Sequence, residues 1–226
     1  MTLKTAKVPK SMEHLFSEAE KYVNDYFSTM KRTPEHGTIE IAGERYILVR
    51  ASSMSVFFLE HIKAMYPSLE DISAVEAAAN VLFDIALAIG NYDAKAFHAK
   101  TKVEDPIAKL STGPIHFAHM GWAFVDILPE SNPSPDENYY LLYDHPYSFE
   151  SESWIKERGR VDFCTCFMNA GYSSGWCEAS FGIKLAAREI LCRARGDRQC
   201  RFIMCQPHRL DEFCKKYRSE HPELFI

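Results

Sequence analysis

Apolar residues recur every three to four positions over 11–31. Phe16, Ala19, Val23, Tyr26, Phe27 and Met30 make one stripe, which predicts a helix. The period then drops to two. Ile39 and Ile41 alternate with Thr38 and Glu40, Ala42-Gly43 offers a turn, and Tyr46-Ile47-Leu48-Val49 returns, so 38–50 reads as a hairpin. Residues 53–66 are again helical in pattern, stopped by Pro67. Ser68, with Asp71 close behind, suits the start of a long helix to about Lys100, which Gly90 can bend or divide. Beyond it, Pro106 and Gly113-Pro114 punctuate the chain. Strands are expected over 122–128 and 139–143, separated by a polar, proline-containing loop at 129–138. A helix should begin near Pro146, an apolar segment spans 163–181, 188–204 reads as a hairpin, and 210–218 as a closing helix. Hairpins without regular strand–helix–strand alternation predict an α+β fold, an antiparallel sheet packed with helices.

With 46% hydrophobic residues among 226, the chain can bury one sizeable core. The net charge of −5 argues against a general nucleic-acid binder. Arg193, Arg195, Arg198 and Arg201 read as a solvated rim first and an anion or partner site second. The N-terminus carries lysines but no apolar core of a secretory signal. The longest apolar run, 74–89, is broken by Glu76, Asn80 and Asp84, short of the ~20 residues that span a bilayer. Seven cysteines, an odd number without a secretion signal, argue against a disulfide framework. The expected location is the cytoplasm, with no membrane span.

The most informative stretch is Glu189-Ile-Leu-Cys192-Arg-Ala-Arg-Gly196-Asp197-Arg-Gln-Cys200-Arg. Gly196-Asp197 is a turn signal midway between the two cysteines. Strands paired about it would make Cys192 and Cys200 cross-strand neighbours on one face. Two thiolates so placed in a reducing compartment are natural soft-metal ligands. Two ligands are not a site. Glu189, Cys164 and Cys166 lie within reach in sequence, and small buried thiols in a plain hairpin are the competing reading.

These residues resemble a known pattern, the 4-vinyl-reductase domain, which also forms the sensory part of bacterial aromatic-responsive (phenol- and xylene-type) transcription activators. In that pattern a Cys precedes Gly-Tyr-x-Ser-Gly, then Glu-x-x-Cys-Arg-Ala-x-Gly-x-x-x-Cys-Arg. Here stand Cys166, Gly171-Tyr172-Ser173-Ser174-Gly175, Glu189 with Cys192-Arg193-Ala194 and Gly196, and Cys200-Arg201. Gly113-Pro114, Ser148-Phe149-Glu150 and the hairpin with Gly37, Ile39, Ile41 and Gly43-Glu44 are further landmarks. The resemblance implies a 4-vinyl-reductase-type ligand-binding domain over 37–205, its zinc-binding part at 163–205, preceded by a tail and helix (1–36) and followed by a helix packed on it (206–226). It also implies a structural zinc on Cys166, Glu189, Cys192 and Cys200, and a homodimer.

The implied function is a sensor or carrier module that encloses an aromatic or apolar small molecule and signals to an effector protein, rather than an enzyme. Two alternatives stand beside it: an enzyme or enzyme subunit acting on a tetrapyrrole or other apolar substrate, and an assembly subunit like those of vesicle-tethering complexes. No nucleotide fingerprint for a reductant is visible. Gly171-Tyr-Ser-Ser-Gly175 also matches the nucleophile elbow of serine hydrolases, with Asp197, His208, Asp211 and His221 downstream. It lacks the preceding ladder of strands and crossover helices, so its glycines read as close-packing positions. In the phenol-type sensors a histidine after Gly-Pro and a tryptophan before Ser-Phe-Glu hold the phenolic hydroxyl. In register those places hold Phe117 and His145, unless His116 substitutes by a one-residue shift. Trp122 and Tyr143 are the expected neighbours. The ligand expected is a small aromatic or apolar molecule, not specifically phenol. The competing reading is that these side chains pack on one another with no cavity.

Overall fold

The computed structural model describes residues 3–66 and 71–225, and side chains there except those of 71 and 72. The first helix, α1 (Glu13–Ser28), buries Phe16, Ala19, Val23, Tyr26 and Phe27 of its predicted stripe, while Met30 lies beyond its end and is exposed. Beside it the expected hairpin is β3 (Thr38–Ile41) and β4 (Glu44–Tyr46), joined by an additional edge strand, β2 (Lys31–Thr33), into a three-stranded antiparallel sheet. The second strand is shorter than its alternation suggested: Ile47, Leu48 and Val49 fall outside it and are exposed.

The 53–66 segment is helical, a π-helical stretch Ser53–Phe57 running into α2 (Phe58–Ala64). The proposed cap Ser68 lies outside the described residues. The long helix α3 (Asp71–Thr101) is continuous through Gly90, which does not divide it into two elements. Gly90 serves another purpose: a Cβ there would overlap the backbone carbonyl of Tyr172. The partner helix is α6 (Phe167–Phe181), whose Gly171 and Gly175 likewise press against the carbonyls of Phe83 and Leu87. Bare glycines four residues apart let the two backbones touch. Ser173 therefore sits inside a helix, donating to the Asn169 carbonyl, and not on a strand-to-helix elbow.

By length and composition, residues Ser73–Thr101 of α3 are long and apolar enough to cross a membrane, contrary to the reading of broken apolar runs. Ala78, Leu82, Ala86, Ala94 and Phe97 bury one face, and Val81, Ile85, Ile89 and Tyr92 expose another. The expected break at Gly113-Pro114 is also absent. They lie within α4 (Pro106–His119), which starts at Asp105 accepting from the Ala108 N–H at 2.8 Å. Pro114 has no N–H to donate four residues back, yet Gly113 lets the Trp176 ring pack against the helix, and that packing holds it.

The second sheet runs in the order β1 (Ala6–Lys7), β5 (Val125–Ile127), β6 (Leu141–His145), β8 (Cys200–Cys205), β7 (Ala186–Leu191). Among the described strands only the β1–β5 pair is parallel. With α5 (Phe149–Arg158) and α7 (Leu210–Glu220) this makes the α+β, antiparallel-rich architecture that the hairpins predicted. Every residue of β6 is buried, because helices cover both faces. Leu142 packs with Ile203, Leu210 and Tyr217 under α7, and Leu141, Tyr143, Phe202 and Met204 join the main core with α4 and α6. Of the four clustered arginines, Arg198 is exposed as a solvated rim would have it, while the other three are paired. Arg201 makes a bidentate pair with Asp144 at 2.7 Å, Arg195 pairs with Asp197, and Arg193 reaches Glu152 and the Pro146 carbonyl.

Candidate functional site

Strands β7 and β8 carry Glu189 and Cys200, and Cys192 directly follows β7. The turn between them closes through Gly196 at φ +104 and through Asp197, whose carboxylate accepts from the Cys192 N–H at 2.7 Å. Cys192 and Cys200 thus flank the turn together, as its sequence symmetry required. Glu189 is less obvious. Three residues before Cys192, it would point to the opposite face of a regular strand. A register irregularity between Glu189 and Leu191 re-aims it to the cysteine side. The fourth group, Cys166, comes from the N-cap of α6, and its N–H donates to Glu189 Oε2 at 2.9 Å.

The donor atoms of Cys166, Glu189, Cys192 and Cys200 all lie within 4.8 Å of one another, and all four residues are buried. Cys166 Sγ and Cys200 Sγ are 3.8 Å apart. Two thiolates each about 2.3 Å from one tetrahedral ion subtend an edge of roughly that length. Burial pushes Cys166 and Glu189 well above their ordinary pKa values. Hydrogen bonds from Cys164 first, then Cys166 and Cys200, lower the pKa of Cys192. Glu189 Oε1 has no hydrogen-bond partner among the described residues. Around the sulfurs sit Ser148 Oγ at 3.2 Å from Cys166, Thr165 Oγ1 at 3.4 Å from Cys192, and the Arg193 N–H at 3.4 Å from Cys200. A buried set of three thiols and a carboxylate can hold a metal ion, and this one needs little movement to do so.

The register of β6 on β8 sets His145 directly opposite Cys200. Cross-strand neighbours share a face, so the cysteine cluster backs the strand that carries His145. This imidazole is fully buried, and neither ring nitrogen has a hydrogen-bond partner among the described residues. Its ring lies 4.5 Å from Phe202, 5.2 Å from Tyr143 and 5.6 Å from Phe117. Desolvation lowers its pKa to about 3, so it is neutral, offering one donor and one acceptor. It edges a cavity of about 30 Å³ between the sheet and helices α4 and α6. Phe117, Tyr143, Tyr172, Ser173 and Trp176 line the cavity with it, along with aliphatic side chains of α4, β5 and β6.

Of the five pocket residues expected from sequence, Phe117, Tyr143 and His145 come together here. His116 and Trp122 are placed elsewhere. His116 points toward α1 and α3, its Nδ1 3.1 Å from the Tyr172 hydroxyl, which in turn donates to Asp93 at 3.0 Å. Burial lowers its pKa to about 3. Trp122 stands behind the cavity wall, 4.8 Å from Tyr172 and 5.5 Å from Phe117 between ring centroids. Its other side faces a surface groove of about 630 Å³ that also includes Arg50, Ala118, Tyr147, Phe149 and Lys156. The sequence reading missed Tyr172 and Trp176 as cavity residues. Their i, i+4 spacing on α6, each next to a close-packed glycine, was the available signal.

No family model matches the chain. The phenol regulator MopR of Acinetobacter guillouiae is 25% identical over 187 residues, which cover 82% of this chain. The chain spans about a third of that protein, 32% of its length. The solved phenol-responsive sensory domain of the transcription activator PoxR, with phenol, superposes with a TM-score of 0.70 at 18% identity. That match covers 88% of this chain and 94% of the sensory domain. A trafficking protein particle complex subunit 3 from Naegleria fowleri, covalently bound to palmitic acid, reaches a TM-score of 0.46 at 14% identity, over 69% of this chain and 93% of that one. The chain is therefore similar in sequence to a phenol regulator and shares the fold of a phenol-responsive sensory domain.

Proposed function

We propose that the chain is a small-molecule-binding sensor domain that encloses a small aromatic or apolar ligand bearing one polar group. The observation that carries this reading is His145. A buried imidazole with two unpartnered nitrogens costs stability on the order of 1–3 kcal/mol, and a fold keeps such a group where something else completes it. A ligand hydroxyl against His145, with its ring between Phe117, Tyr143 and Tyr172, would do so. Enclosing a monocyclic aromatic removes on the order of 200 Å² from water, worth ~5 kcal/mol at about 25 cal/mol per Å². The hydrogen bond adds about 0.5–1.5 kcal/mol. After association costs, a dissociation constant between roughly millimolar and micromolar is expected.

The test is a calorimetric titration with phenol and with toluene, which lacks the hydroxyl. Phenol should bind several-fold tighter. Saturable binding of neither below about millimolar refutes the reading.

The same proposal includes a structural zinc on Cys166, Glu189, Cys192 and Cys200, a closed ligand set with no open position for a substrate. It also includes a homodimer, for which the exposed apolar Ile47, Leu48, Val49 and the α3 stripe supply surface. A cytoplasmic location and an effector protein that reads ligand occupancy complete it, as does the division into 1–36, 37–205 and 206–226. Metal analysis giving one zinc per chain and light scattering giving twice 25.9 kDa are the corresponding measurements.

A further inference from the structure

The cavity beside His145 has room for one or two waters, far below the few hundred Å³ usual for enclosed ligands. If His145 contacts a ring-sized ligand, some wall must move. One wall has space behind it. The Trp122 ring rests with one side on Tyr172 and Phe117, both cavity residues, and with its other side in the 630 Å³ groove. It is half-buried, whereas Tyr172 and Phe117 are almost wholly buried. The other cavity residues back onto packed core: Tyr143 stacks on Phe202, and Trp176 wedges against Gly113 and Phe97.

The backbone at Trp122 is anchored by hydrogen bonds, while its indole is held by ring packing alone among the described residues. Its N–H donates to the Phe117 carbonyl at 3.1 Å, and its carbonyl accepts from the Phe149 N–H at 2.9 Å. Gly121, at φ +75 with open space where a Cβ would stand, turns the chain there, and the groove lies on the outer side of the Trp122 ring. In the groove, Phe149 meets the ring edge-on at 5.2 Å, an aromatic surface ready for it on the outer side.

We propose that Trp122 is the residue that controls access to and size of the ligand cavity. Its indole swings into the groove, joins the groove to the cavity, and returns to close over a monocyclic ligand. The groove is the vestibule. This inference rests on the proposed ligand at His145. A closed Trp122 admits phenol slowly and excludes a para-substituent long enough to cross the ring plane. An open one admits both.

Stopped-flow fluorescence reads this directly, because Trp176 in the cavity wall reports phenol binding with or without Trp122. In Trp122→Ala, association and dissociation rates for phenol should both rise at least about tenfold, with the dissociation constant changed less than about threefold. 4-Propylphenol, which the wild type should bind at least about tenfold more weakly than phenol, should bind the variant comparably. Ala118→Phe, which fills the groove, should slow both phenol rates while leaving the dissociation constant unchanged. Slower exchange is an effect that simple destabilisation does not produce. Unchanged rates in both variants, or a change confined to dissociation in Trp122→Ala, would overturn the role of Trp122 while leaving the ligand at His145 standing. Absence of phenol binding in the wild type would overturn both.

Discussion

Replacing His145 with phenylalanine should stabilise the protein and weaken its ligand binding at the same time. The imidazole is fully buried among Phe202, Tyr143 and Phe117, and neither nitrogen has a partner among the described residues. Each such polar atom forfeits its hydration, and the mutational scale for an unsatisfied buried group is about 1–3 kcal/mol. Phenylalanine keeps the ring contacts and removes both polar atoms. Its one extra ring atom can use the 30 Å³ beside it, so overpacking is small. A net gain of about 2 kcal/mol is expected, which for a chain of this size raises Tm by roughly 4–8 °C. Phenol affinity should fall by about 2–13-fold, the range equivalent to one hydrogen bond of 0.5–1.5 kcal/mol. Toluene affinity should hold or improve. Differential scanning fluorimetry and calorimetry on the two proteins measure both. A Tm that falls would show that the His145 nitrogens are satisfied in the folded protein, and the argument for a ligand there would collapse.

Acid should destabilise the fold through its neutral histidines. His116 and His145 are held near 3, and His98 near 4, all by burial first. Their stability contribution is complete above the unfolded value of about 6.5 and is lost as pH falls toward those folded values, about 1.4 kcal/mol per pH unit for each of His116 and His145. Urea midpoints at pH 7 and pH 5 test this, and a midpoint unchanged between them would contradict the burial. Cys192→Ser should abolish binding of the proposed zinc and lower Tm by several degrees, and a strong chelator should do the same to the wild type. A variant that keeps both its metal and its Tm would exclude Cys192 as a ligand. Gly175→Ala forces a methyl into the Leu87 carbonyl and should cost about 3 kcal/mol or more in denaturant unfolding. A cost under about 1 kcal/mol would mean that the α3–α6 backbones can separate freely.

Much of the architecture was written locally. The stripe of α1, the turn at Gly196-Asp197 and the convergence of Cys192 with Cys200 follow from side-chain period and turn chemistry, which operate within a few residues. The choice of the four clustered residues followed from the resemblance of their motif, not from spacing, since Glu189 and Cys192 share a face only through an irregularity in β7. Where neighbours distant in sequence decide, local signals misled. Gly113-Pro114 reads as a break, yet it lies inside α4 because the Trp176 ring needs the missing Cβ. Gly90 reads as a place to divide the helix, yet it marks where another helix backbone arrives. The apolar tail of the 38–50 hairpin promised strand, but Ile47, Leu48 and Val49 stay outside the sheet and exposed.

The aromatic-rich middle of the chain could be picked out as pocket material, but not divided into cavity, wall and outer groove. Register sets His145 across from Cys200, α6 brings Tyr172 and Trp176 over it, and the turn at Gly121 holds Trp122 one layer further out. Period and propensity fix which face of an element turns inward, since each residue's backbone carries that choice. Which polar group then finds no partner depends on every chain segment packed around it, and only the assembled tertiary structure decides that.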